Sequence, residues 1–189
     1  YQMYQEEGVE VEPVIASLLC SAIISDTLMF RSPTCTLQDK MAAGALALIA
    51  DISIEEFARE MFKAGSNLKG KTAEEILFLD FKQFTVNDTV FGVGQVNSMS
   101  EEELEEIKAT VLPEMEKTRQ NHSLDMIFFM LTNILDESTL VLCSDEAALS
   151  VASRCFGVSV TKDGDSVFVD NMVSRKKQFI PKMVGTLQE

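Results

Sequence analysis

The sequence predicts an α/β protein in two unlike parts, a helical segment followed by a domain built on a mixed sheet. Three observations carry this. Residues 1–64 show helical spacing and caps but no strand pattern. From residue 72 onward, alternating apolar runs of strand length interleave with helical ones. Between them lies "GSNLKGK", residues 65–71, polar and with two glycines, the best linker in the chain. Two segments of different class joined by such a linker read as parts of two domains.

In the first part, Pro13 to about Phe30 reads as a helix with Pro13 in its first turn. Its apolar positions are too dense for one stripe, so it should be buried on most sides. Pro33 stops it. Thr34 or Thr36 can cap the next helix, Leu37 to Ala50, with Asp39 at its positive end. Ser53 with Glu56 forms a capping-box pattern for "IEEFAREMFKA", which Gly65 should end as a left-handed glycine.

In the second part, Thr72 with Glu75 caps a short helix. "FKQFTV" and "TVFGVGQVN" read as strands joined at Asn87-Asp88. Ser100 with Glu103 caps a long acidic helix ending near Gln120, and "LDMIFFMLTNIL" and "TLVLCS" read as strands. "DEAALSVASRCF" is a helix, and "VSVTKDGDSVFVD" a hairpin turning at Asp163-Gly164. The end, from Ser174, reads as irregular or short helix. No internal repeat is present.

The 189 residues carry a formal charge of -14, which argues against a nucleic-acid backbone or an anionic membrane as partner. The apolar runs fall short of a membrane span. The acidic start, "YQMYQEEGVEVEP", is not a signal peptide, and it lacks an initiator Met, as expected of a fragment. The four cysteines form no CxxC pair, and three sit among apolar residues as packed thiols; this implies a reducing, cytoplasmic setting. The single histidine, His122, suits a surface turn and cannot make a histidine-rich metal centre.

"GSNLKGKT", residues 65–72, spells a P-loop. That motif works only between a buried strand and a helix, and the element before it here is an amphipathic helix, so the reading is set aside.

Three places could carry chemistry. Asp26 lies between "AII" and "LMF", in the least polar stretch of the chain. Composition alone makes it a solvated helix residue. Its setting argues for burial, which would require a partner such as a metal ion. "SRKKQ", Ser174 to Gln178, opens a stretch to Gln188 with four basic residues and no acid. Arg175 offers a planar fork and Lys176 a mobile point charge, a pair suited to phosphate oxygens; a solvated basic tail is the plain alternative. Lys82 lies between two phenylalanines on a strand and is placed facing opposite to both, either as a plain outward lysine or as a ligand. The glycines of "GVGQVN" permit close backbone approach.

Together, "SAIISDTLMFRSPTCT" with "DK" just after it, "GVGQVN" and "SRKKQFIP", in this order and spacing, resemble the family II inorganic pyrophosphatases of the DHH phosphoesterase superfamily. The resemblance spans the chain. It implies the C-terminal helices of a DHH domain at 1–64, a linker at 65–71, and a complete DHH-associated domain at 72–189. It implies hydrolysis of pyrophosphate to two phosphates in a cleft between the domains, with closure over the substrate. Asp26 matches a metal-ligand aspartate, and Lys82, Arg175 and Lys176 match substrate-binding cations. The implied cofactor is Mn²⁺ or Co²⁺, with Mg²⁺ as a further option, and the family is compatible with a homodimer of the full-length enzyme. The family's His-x-Asp-x-Asp and DHH motifs do not occur here. The chain alone is therefore expected to hold no metal and to be inactive. A DHH phosphoesterase acting on polyphosphate or oligonucleotides, and a non-catalytic anion-binding module, are the alternative readings.

Overall fold

The structure, a computed structural model, describes residues 1–66, 68 and 70–189. Asn67 and Lys69, which belong to the expected linker and to the P-loop-like string, lie outside the described residues. The chain divides into two units, Tyr1–Gly65 and Ser66–Glu189.

The first unit holds α1 (Gln2–Glu6), α2 (Pro13–Thr27), α3 (Leu37–Ala50) and α4 (Ile54–Gly65). Ala16, Cys20 and Ile24 of α2 meet Ala43, Leu46 and Ala47 of α3, with Ala58 of α4, and the alanines leave room for the bulkier Ile24 and Leu46. Thr36 and Asp39 form a reciprocal capping box on α3. Two expectations are corrected. Gly65 is the last residue of α4 rather than a glycine beyond it. Helix α2 stops at Thr27, not near Phe30. The Thr27 hydroxyl donates to Ile23 O and accepts from Phe30 N, turning the chain before Pro33 is reached. Leu28, Met29 and Phe30 all take left-handed conformations, with φ of 48°, 51° and 69°. Three such residues without a glycine store local strain.

The second unit opens with α5 (Ala73–Leu77), capped by the Thr72–Glu75 box. A five-stranded sheet follows in the order β1 (Phe81–Val86), β2 (Thr89–Ser98), β3 (Met126–Asn133), β4 (Ser138–Cys143), β5 (Ser166–Val169). Only β2 and β3 run parallel, joined by the crossover helix α6 (Glu101–Asn121); the other neighbours are antiparallel. The sheet is therefore mixed, as expected. Asn87, at φ 52°, makes the β1–β2 turn. The expected hairpin before β5 has only one arm: Val160 makes a single bridge to Val167, and β5 pairs with β4 instead.

Each sheet face buries its own core. On one face Phe91, Val93, Phe128, Met130 and Val141 pack with Phe179 and Met183. These two come from a π-helical turn, Arg175–Phe179, and the helix it continues into, α8 (Ile180–Gln188). On that face also lies α7 (Glu146–Phe156), which contributes Ala148 and Ala152. The C-terminal stretch is thus one continuous helical element rather than an irregular tail. On the other face Ile127, Phe129 and Leu131 pack with Ile76, Leu77 of α5 and with Leu104, Ile107, Val111 and Met115 of α6. No described helix is long and apolar enough to cross a membrane.

Candidate anion-binding site

The polar residues of the second unit converge where β1 and β2 meet the start of the C-terminal helix. Lys82 pairs with Val93 across the β1–β2 ladder, and cross-strand partners share a face. Val93 and Phe84 belong to the core beneath α7 and α8, whereas Phe81 packs on the opposite face. The placement of Lys82 opposite to both phenylalanines is corrected: Phe84, two residues on, shares its face, as a period of two requires. Lys82 is exposed.

Arg175 arrives from the far end of the chain at the same place. It is 7% exposed. Its Nη1 donates to the carbonyls of Asp80 and of Val93, the latter at 3.1 Å, and its Nη2 donates to Asp80 Oδ1 at 2.7 Å. The fork that the sequence offers to phosphate is largely taken up by the protein. Burying a guanidinium is costly unless acceptors surround it, and these three supply them. Lys176, next along, is exposed.

The approach to Arg175 is held by amides. Gln178 Oε1 accepts from the backbone N–H of Val173 (3.0 Å) and Ser174 (2.9 Å), and its Nε2 donates to Asn171 O at 2.7 Å. The Ser174 hydroxyl accepts from Lys177 N, capping the π turn. Beside it, Gln95 Nε2 lies within hydrogen-bond reach of Asn97 Oδ1 (3.0 Å), Thr132 Oγ1 (3.0 Å) and Val173 O (3.1 Å). Thr139 donates to Met172 O at 2.5 Å. These residues sit toward the C-terminal ends of the parallel strands β2 and β3 and across on β4, a region where α/β sheets place ligands.

The glycines of "GVGQVN" serve packing. A Cβ on Gly92 would lie 2.0 Å from the Phe81 ring, and one on Gly94 2.6 Å from Phe129 and 2.8 Å from Leu77 O. Both clashes are on the face away from Lys82. The close approach foreseen from the sequence is to an aromatic ring and a helix end, not to a ligand.

The structure does not bury Asp26. The carboxylate is exposed on the last turn of α2. It continues a line at helical spacing through Val14 (70% exposed), Leu18 (63% exposed) and Ala22. Among the described residues, no group of three or more His, Cys, Asp and Glu could hold a metal ion. The described residues thus do not by themselves fit the dinuclear centre that the resemblance implies.

The P-loop string meets the objection raised from the sequence. Helix α4 precedes it, and Thr72 spends its hydroxyl capping α5. His122 ends α6 at the surface, 3.3 Å from Glu74. All four cysteines are free thiols, and burial pushes Cys143 up to about 12.

Asp80 and Gln95 were not singled out in the sequence. Gln95 left a visible signal, an amide inside an apolar strand. Asp80 left none, because its partner lies 95 residues away.

The comparisons agree with this architecture. A protein of Clostridium acetobutylicum assigned as a manganese-dependent inorganic pyrophosphatase is 43% identical over 186 residues, 98% of this chain and 59% of its own length. A cobalt-dependent inorganic pyrophosphatase of Clostridium perfringens is 42% identical over 178 residues, 94% of this chain and 32% of its own. A solved Methanococcus jannaschii structure assigned to the family II inorganic pyrophosphatases superposes with a TM-score of 0.79 at 38% identity. That match covers 95% of this chain and 57% of the other. The chain thus spans less than two thirds of the length of these relatives. The resemblance drawn from "SDTL", "GVGQVN" and "SRKKQFIP" is borne out. The model of the DHHA2 domain matches residues 59–185, and the chain belongs to that domain family.

Proposed function

We propose that the chain supplies the pyrophosphate-binding part of a metal-dependent inorganic pyrophosphatase. In this reading the second unit is the DHH-associated domain, and the first is the C-terminal part of a DHH domain. Lys82, Arg175 and Lys176 receive the phosphate oxygens. The observation that carries the reading is that Arg175 is bonded to Val93, the ladder partner of Lys82. Cations 93 residues apart in sequence are thereby brought to the same pair of strands. The exposed ammonium groups of Lys82 and Lys176 can each meet an oxygen. Arg175 adds a fixed charge and the N–H groups that have no protein partner among the described residues. Such groups stabilise negative charge moving onto a departing phosphate.

The relatives' names point to manganese or cobalt. In this proposal Asp26 is one ligand of a set whose other members this chain does not contain. Activity therefore belongs to the longer protein, and with Mn²⁺ and pyrophosphate the chain alone is expected to give no turnover.

Calorimetric titration of the chain with pyrophosphate tests the anion site. Lys82→Ala and Lys176→Ala are each expected to weaken binding by about tenfold, the scale of one charge-assisted contact. Affinities unchanged by both substitutions would sink the assignment. Tripolyphosphate and a dinucleotide in the same titration test the polyphosphate and oligonucleotide readings.

A further inference from the structure

We propose that Asp80 is a positioning residue, which locks Arg175 in place and makes Lys82, Arg175 and Lys176 one preformed anion receptor. The inference rests on the reading of the site given above. Asp80 supplies two of the three acceptors that Arg175 uses, its carbonyl and its Oδ1. The two carbonyls, of Asp80 and Val93, both take Nη1 and so anchor one corner of the guanidinium. The carboxylate takes Nη2 and thereby sets the plane. Asp80 is also two residues before Lys82, at the mouth of β1. One side chain therefore ties the start of the C-terminal helix to the strand that carries the first lysine. Preforming a charged receptor removes ordering cost at the moment of binding.

A carboxylate beside an anion site could instead compete with the ligand for the arginine and repel it. The two roles predict opposite signs. The Asp80 side chain is 56% exposed, so solvent screens its repulsion, whereas Arg175 at 8% depends on the acceptors it has. Positioning should therefore outweigh repulsion.

The test is calorimetric titration of the 189-residue chain with pyrophosphate, for the wild type, Asp80→Asn, Asp80→Ala, Arg175→Lys and the double variant Asp80→Ala/Arg175→Lys. Asparagine keeps an acceptor at the Oδ1 position and alanine does not. The expected order is wild type, then Asp80→Asn weaker by about threefold, then Asp80→Ala weaker by about tenfold. The double variant should bind no more weakly than Arg175→Lys, because Asp80 acts through the arginine fork. Tighter binding in Asp80→Ala would make Asp80 a competitor and overturn the inference. Unchanged binding, or losses that add in the double variant, would also overturn it. Should Asp80→Ala fail to fold by circular dichroism, Asp80→Asn and its sign decide. A wild-type chain that binds no pyrophosphate overturns the site itself, a failure distinct from a normal wild type with unaltered Asp80 variants.

Discussion

The two units bury apolar surface in different ways. In the second, a sheet packs against helices on both faces, and Phe91, Phe128, Phe129 and Phe179 are fully buried. In the first, α2 and α3 are apolar nearly all round, yet Val14, Leu18, Leu37, Met41 and Leu48 stand exposed. Apolar character on every side normally marks a helix covered on every side. The second unit completes its core with its own residues; the first keeps an uncovered face, and Asp26 stands at the end of it. A residue's chemistry thus has to be judged by which surface it extends, not by how greasy its sequence neighbours are.

Truncating large side chains should separate the two units most sharply. Phe128→Ala in the second unit should destabilise by about 3 to 5 kcal/mol, because it opens a cavity in a closed core. Leu48→Ala, 85% exposed, should change stability by less than about 0.5 kcal/mol. Urea unfolding followed by circular dichroism checks both. Equal losses would mean that the exposed face of α3 is covered in solution.

Glycines give a smaller contrast. Gly94→Ala should cost roughly 1 to 3 kcal/mol, since the new methyl meets the Phe129 ring and the rigid carbonyl of Leu77. Gly44→Ala in α3 meets nothing within 4 Å. It should stabilise by about 0.5 to 1 kcal/mol through helix propensity. Thermal melts of the two variants should move in opposite directions.

The smallest effect is in pH. In the second unit the Arg119 fork holds Glu116 down to about 2, from an ordinary 4.5, with Gln120 assisting. In the first unit, Asp39 is lowered by the capping hydroxyl and N–H of Thr36. A carboxyl lowered on folding stabilises fully above its unfolded value and progressively loses that stabilisation as pH falls through its folded one. The Glu116 contribution should therefore fade between about pH 4.5 and 2. The Glu116 side chain is 42% exposed, so screening limits it to ~1 kcal/mol or less. Acid titration of Glu116→Gln should show a correspondingly shallower loss over that window.

Much of the second unit was legible because its signals are local. Caps at Thr72 and Ser100 and the Asn87 turn depend on residues within a few positions of one another. The Ser100 cap held, but Glu103 turned elsewhere, its Oε2 accepting from Ser98 and Ser66 rather than closing the box. The end of α2 departs from the expectation because Pro33 is the obvious stop, whereas Thr27 acts earlier through its hydroxyl bonds. The missing arm before β5 shows the same limit: Asp163-Gly164 marks a turn, but whether its flanks pair depends on what β4 takes up.

The sequence by itself determined the α/β class, the change of character after Gly65, the basic stretch from Ser174 and the family motifs, all properties of neighbours along the chain. Only the tertiary structure decided that Arg175 is held by Asp80 and Val93, that Gly92 and Gly94 make room for a ring and a helix end, and that Asp26 is exposed. Those outcomes depend on groups up to 95 residues apart meeting beside the sheet or, for Asp26, on a helix face left exposed. No local pattern encodes such encounters, because packing chooses the partners and hydrogen-bond geometry then fixes them.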